Sequence, residues 1–195
     1  MATHTLDTPL DEPTVRSLHV GDAVTLSGRL FGLRDKTLIH MFDERREAPV
    51  DLTGYPVLHT APSLRQTDRG WEKIIVGTTT STRMDRFTAP LLEECGVRAI
   101  IGKAGLYQAS LEPMRRFGAC YLAIVGGAAA LETTQIEEVE RVYWPHLHPE
   151  AIYQFRVKGF GPLIVAMDTH GRSLYEEVRQ RVKRGLPGIY ERYGL

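Results

Sequence analysis

Cysteine is scarce in this chain. Cys95 and Cys120 are the two present, far apart and each within an apolar segment. Thiols placed like this give no disulfide framework and read as reduced, buried side chains of a cytosolic, cytoplasmic protein. Two cysteines by themselves cannot hold an iron–sulfur cluster, which usually takes three or four thiolates. An excess of one charge is also missing: 24 Lys and Arg face 24 Asp and Glu, a formal net charge of zero. Such a chain has no general field to draw in nucleic acid or an anionic membrane. An anionic ligand must be held by a local cluster instead. No apolar run approaches the roughly 20 residues of a membrane span. Residues 1–13 lack the basic-then-apolar order of a signal peptide. Internal repeats are lacking, and so is the lysine–hydroxyl motif of a Walker-type phosphate loop.

What is present suits one compact domain. The chain has 195 residues and 43% hydrophobic content, enough for a real core. Residues 1–195 read as a single unit, with residues 1–13 an N-terminal arm or first edge strand and residues 184–195 a C-terminal tail. Residues 20–22 form a turn, and residues 23–31 a strand in which Gly28 marks a bulge. Leu38, Ile39, Met41 and Phe42 belong to a helix, residues 44–51 to a loop, and residues 55–62 to a short strand and turn. Residues 66–70 are a polar turn. The run Lys73, Ile74, Ile75, Val76 reads as a buried strand.

Directly after that run come Gly77 and five consecutive hydroxyls, Thr78, Thr79, Thr80, Ser81 and Thr82, then Arg83. Residues 84–95 carry Phe87, Leu91, Leu92 and Cys95 at helical spacing. A strand-to-helix junction presents free backbone N–H groups and the positive end of the helix dipole, which suits an anion. Ser and Thr are also ordinary N-caps. Five exceed what capping needs, and the residues alone leave both readings open.

Gly96 is a C-cap, residues 97–101 a strand, residues 110–117 a helix closed by Gly118, and residues 119–125 a strand ending at Gly126 and Gly127. This alternation is the pattern of parallel βαβ units. Ligands gather beyond the carboxyl ends of such strands. The threonine stretch, Lys103, and Gly126 with Gly127 all fall there. Residues 136–143 read as a half-solvated strand, residues 149–155 as a helical turn, and residues 154–158 and 162–167 as two strands around Gly159 and Gly161. Residues 168–171 are a turn. Residues 173–183 form an amphipathic helix suited to packing on the core and on a partner, and residues 186–195 a short last segment.

Four ordered motifs then decide the reading: Arg34-Asp35, residues 77–84, residues 101–105, and residues 160–165 followed by Asp168-Thr169-His170-Gly171. Together they resemble the β subunit of iron–sulfur hydro-lyases, the L(+)-tartrate dehydratase and class I fumarase family. The resemblance covers residues 7–175. It implies an α/β fold, a swivelling β/β/α domain with a parallel βαβ core and additional mixed strands. It also implies reversible dehydration of a 2-hydroxy dicarboxylate. In the family a partner α subunit holds a [4Fe-4S] cluster whose open iron acts as Lewis acid. This chain would contribute no metal ligand, and an α2β2 heterotetramer is expected, with a homodimer for the isolated chain.

By the same resemblance Thr79 is the general base, and Thr80 binds substrate with Arg34, Arg83 and Lys103, three cations against a dianion. Asp35 orients Arg34 or simply caps the helix, the ion-pair reading being favoured, and His59 supports the site or is a structural histidine. Asp168 holds a turn, and His146 with His148 reads as a surface turn rather than a metal pair. Departures are visible. The family's Arg-Asp-x-x-His pattern has Leu38 at its last position, with His40 two residues late. Family members often carry Pro, Gly and Met where this chain has Thr78, Ala104 and Leu106. Two other readings remain beside the catalytic subunit: a non-catalytic or regulatory subunit of such a complex, and a stand-alone anion-binding enzyme.

Overall fold

The computed structural model describes residues 1–68, 70–125, 127 and 129–194, with Ala129 as backbone alone. Of the expected features, Arg69 in the polar turn, Gly126 after the third parallel strand, and Leu195 lie outside the described residues. The architecture is a mixed α/β sheet of seven strands in the order β1-β2-β3-β6-β7-β9-β8. β2 (Ala23–Leu33), β3 (Pro56–His59), β6 (Ala99–Gly102) and β7 (Cys120–Ala123) run parallel to their neighbours. β9 (Ile152–Met167) is antiparallel to both β7 and β2, so the ring β2-β3-β6-β7-β9 closes on itself. β1 (Thr3–Asp7) extends it beyond β2, and β8 (Ile136–Tyr143) beyond β9.

Closure explains the apolar strands. Leu58, Ile101, Cys120 and Leu122 face one core together with Val24, Leu26, Phe155 and Val165. Their chain neighbours Val57, Ile100 and Tyr121 face a second core, made with Phe87 and Leu91 before and in α3 (Thr88–Cys95) and Met114 in α4 (Leu111–Phe117). Alternate residues of each strand are thus buried on opposite sides, which is why these strands read as unbroken apolar runs. Gly96 and Gly118 end α3 and α4 in left-handed conformations, as the sequence predicts. At Gly28 the register of β2 slips and φ is 109°; a Cβ there would stand 2.6 Å from Thr8 Oγ1.

Several expectations change. Residues 73–76 are no buried strand: β5 (Gly70–Ile75) pairs with β4 (Ser63–Thr67) in a separate hairpin, with Ile74 and Ile75 exposed by 59% and 45%. The apolar run misled because the end of this hairpin lies outside the ring with both of its faces open to solvent. The arm contains a helix, α1 (Glu12–Arg16), capped by Asp11 through Thr14 N, and the helix expected around Leu38 is α2 (Asp35–Leu38), continued by a π-helical turn (Ile39–Asp43). The two strands expected around Gly159 and Gly161 are one, β9, which bends through both glycines without losing its partners. Residues 149–155 form no helical turn, since β9 begins at Ile152; a 3-10 turn lies earlier, at Pro145–Leu147. A helix unforeseen in the sequence, α5 (Ala129–Gln135), precedes β8. The tail is not separate: α6 (Leu174–Tyr193) runs through it; Leu174 and Tyr175 pack half-buried on the second core, and the apolar stripe beyond them, Val178 and Val182, is exposed.

The contrast between ring and hairpin is measurable. Leu58→Ala is expected to cost about 2–5 kcal/mol of stability, whereas Ile75→Ala stays within about 0.5 kcal/mol, both read from urea unfolding.

Candidate active site

The chain leaves β3 at His59, makes the β4–β5 hairpin, and returns across the carboxyl ends of β3 and β6. The returning threonine stretch is fastened at both. Thr78 bridges Thr60, and Thr80 bridges Lys103. Thr79 N donates to His59 O at 2.8 Å, and Ser81 N to Lys103 O at 3.0 Å. Thr60 Oγ1 donates to Gly77 O at 2.7 Å. Two of the N–H groups expected to be free for an anion are therefore already engaged. The helix dipole is displaced as well. The stretch leads into a 3-10 turn (Ser81–Phe87), and α3 proper starts only at Thr88. Thr80 occupies the cap position without a side-chain cap bond. What the loop offers a ligand is hydroxyls and side-chain charge.

Beneath the loop sits a buried polar column. Tyr121 OH donates to Ser81 Oγ at 3.0 Å, and Ser81 Oγ lies 3.0 Å from His59 Nδ1. The other ring nitrogen of His59 is Nε2. That Nε2 is buried and has no hydrogen-bond partner. Burial holds the His59 imidazole down to about 4, against a smaller opposing pull from Asp35, so the ring is neutral. Gly102 is required here: a Cβ on it would come 1.9 Å from Ser81 Oγ.

Above the loop the charges gather. Arg83 Nη2 donates to Thr79 Oγ1 at 3.0 Å and to Asp35 Oδ2 at 3.1 Å. Arg34 Nε meets the same Asp35 oxygen at 3.0 Å and Glu150 Oε2 at 3.6 Å. Lys103, next to Thr80, acts on the buried Glu132 of α5. Thr79, Arg83, Asp35 and Arg34 thus form one hydrogen-bonded chain, while Thr80 and Lys103 are joined through backbone. His59 reaches the group through its carbonyl and through Ser81. The bare three-cation cluster expected from sequence is corrected: Arg34 and Arg83 already face acids, Asp35 and Glu150. Glu132 and Glu150 escaped the sequence reading because both sit in segments read without their true structure. Tyr121 and Ser81 passed as core and cap. An acid amid the small residues 128–134 was the one available signal for Glu132.

Other candidates have ordinary partners. Asp168 accepts from Val20 N, His170 N and Arg172 N, a turn held by its carboxylate. His148 Nδ1 pairs with Tyr153 OH at 2.8 Å. Leu38 is fully buried, and His40 turns to Glu44 and to the edge of Trp144. Nothing imidazole-like stands at the Leu38 position. Ala104 holds φ 66°, left-handed backbone that suits a glycine. Asp85 Oδ1 accepts from Tyr107 N and Ser110 Oγ, pinning the loop that follows Lys103.

The model of the Fumarase C-terminus family matches residues 2–178. The chain belongs to that family. Among relatives in the fumarase C-terminus family, L(+)-tartrate dehydratase subunit beta of Escherichia coli K12 is 38% identical over 173 residues, 88% of this chain and 86% of that protein. The putative L(+)-tartrate dehydratase subunit beta of Methanocaldococcus jannaschii is 36% identical over 178 residues, 89% of this chain and 91% of its own length. The putative class I fumarate hydratase of Geobacillus stearothermophilus is 37% identical over 178 residues, which are 90% of this chain but 34% of that protein. The family match ends inside α6, at residue 178.

The buried imidazole gives a signed pH effect. A histidine held neutral at about 4 in the fold takes up its proton near 6.5 when unfolded. Stability is therefore lost as pH falls from about 6.5 to about 4, on the order of 3 kcal/mol. His59→Asn removes that term. Its stability deficit against the parent, from urea unfolding, should narrow by roughly that amount between pH 7 and pH 4. Gly102→Ala should lower Tm at every pH, because Ser81 cannot move without breaking its bonds to Tyr121 and His59.

Proposed function

We propose that this chain is the β subunit of an iron–sulfur-dependent hydro-lyase that reversibly dehydrates a 2-hydroxy dicarboxylate, of the malate/fumarate or tartrate/oxaloacetate type. Membership of a family whose relatives are named tartrate dehydratase and fumarate hydratase supports the hydro-lyase class. Relatives named as β subunits, matched over 86% and 91% of their own length, support a partner α subunit. That α subunit, in an α2β2 assembly, is where the reading puts the [4Fe-4S] cluster. The residues of this chain do not fit one. Burial pushes the Cys120 thiol up to about 12 and the Cys95 thiol to about 11, so neither is a ready thiolate. Among the described residues no three His, Cys, Asp or Glu side chains converge as a metal site.

The contact of Arg83 Nη2 with Thr79 Oγ1 carries the reading. A threonine hydroxyl is a poor base until its anion is stabilised. A guanidinium N–H donated to that oxygen favours the deprotonated form. Thr79 so held would accept the proton from C3 of the diacid. Charge then builds on the adjacent carboxylate, and fixed positive donors are what stabilise it. In this reading Arg34 and Arg83 supply forked donors and Lys103 a point charge, with the Thr80 hydroxyl completing the set. Asp35 keeps both guanidiniums turned to one place. Arriving substrate carboxylates exchange with Asp35 and Glu150 on the two guanidiniums rather than meeting bare cations.

In the complex assembled anaerobically with the α subunit, Thr79→Ala should lower kcat by about 10²–10⁴-fold, with KM changing less. Arg83→Lys should also lower kcat, since charge alone does not replace the fork on Thr79. Near-normal kcat in Thr79→Ala, or no activity of the parent complex on any hydroxy diacid tried, overturns the proposal.

A further inference from the structure

Only the start of the last helix is seated on the body of the protein. α6 has 20 residues and is about 30 Å long. The ring of Tyr175 covers Gly105, where a Cβ would come 2.4 Å from it, and Leu174 packs on the second core. Beyond that turn an apolar stripe continues through Val178, Val182, Leu186, Ile189 and Tyr193, three or four residues apart along one face. Val178, Val182, Ile189 and Tyr193 are exposed by 41%, 55%, 52% and 68%. A helix standing free in water persists only on its own propensity. This one carries Gly185, Pro187 and Gly188, the poorest helix formers, within four residues. Its far half needs a surface to lie on.

The charges beside the stripe point to that surface. Glu177 and Arg184 flank one side of it, Glu176 and Lys183 the other, and the members of each pair stand about two helical turns apart. With a second α6 laid antiparallel along the first, about a two-fold axis at Gln180, Val178 meets Val182 of the second copy. Glu177 then faces Arg184 of the second copy, Glu176 faces its Lys183, and each contact occurs twice. Leu186 and Ile189 of the second copy fall against Leu174 and Gly171. Those two residues, with Gln108 and Leu111, line a groove of about 600 Å³ beside the helix. Glu177 is held at present by Arg172 and Glu176 by Arg179, pairs open to water that exchange at little cost.

We propose that α6 is a homodimerisation helix: two copies of this chain join by antiparallel pairing of their α6 stripes, the far half of each helix lying in the other's groove. The occupant is a second copy because the acids and bases along the helix complement one another under a two-fold, and do not match a uniformly acidic surface. The family match ends at residue 178, so most of the pairing stripe lies beyond the part matched by the family. The inference stands independently of the reaction proposed above.

The test follows the mass of the isolated full-length chain by sedimentation velocity at micromolar concentration, with near-UV circular dichroism reporting the folded body. The parent should be a dimer. Glu176→Lys with Glu177→Lys sets like charges opposite one another and should weaken the dimer on the order of 100-fold. Lys183→Glu with Arg184→Glu should do the same. All four substitutions together bring opposite charges face to face again and should restore the dimer, which self-pairing alone produces. Val182→Asp, in the middle of the stripe, should leave a folded monomer. A monomeric parent overturns the inference, as does a four-substitution variant that stays monomeric. A parent dimer indifferent to both charge reversals also overturns it. A helix taken up instead by the α subunit or by an anionic lipid surface would give one of these three results.

Discussion

Two backbone hydrogen bonds decide where everything else in the site stands. Thr79 N to His59 O and Ser81 N to Lys103 O tie one loop to the ends of two parallel strands. Once they are made, consecutive residues of the loop are sorted by pleat and turn: Thr79 to Arg83 and Asp35, Thr80 beside Lys103, Ser81 down onto His59 and Tyr121. The glycine at position 102 is what lets the loop come that close. A threonine-rich tract with no such fastening would be a flexible polar linker. The chemistry proposed for Thr79 depends less on its own hydroxyl than on the strand ends that aim it.

The second constraint is electrostatic. A protein of zero net charge holds its two guanidiniums at this rim by pairing them with acids. The pairing keeps Arg34 and Arg83 in place before any ligand comes, and costs affinity when one does. These acids, Asp35 and Glu150, are partly in water, where giving up a guanidinium is cheap. The carboxyl of Glu132 is buried, and burial favours its protonated form. The difference between these acids lies in solvation, not in residue type.

Sequence made the parallel core readable because β3, β6 and β7 are buried on both faces and each helix between them ends at a glycine. The order of the motifs along the chain placed Arg34, Thr79, Thr80, Arg83 and Lys103 in one neighbourhood. What stayed hidden has a common cause. Ring closure through β9 depends on a long antiparallel partner that sequence spacing divides at Gly159 and Gly161. Ile74 and Ile75 look like core because apolar character does not say which side of a hairpin faces water. Glu132 and Glu150 act across 29 and 116 positions of chain, on Lys103 and Arg34. No local pattern records such a pairing.

The closed ring leaves few open strand borders. β1 is five residues long, and β8, at the other border, carries Glu137, Glu138 and Glu140 along its length. A second molecule extending the sheet at β8 would have to bury these carboxylates together with the arginines that pair them, Arg156 and Arg29. Both borders are therefore poor templates for ordered self-association.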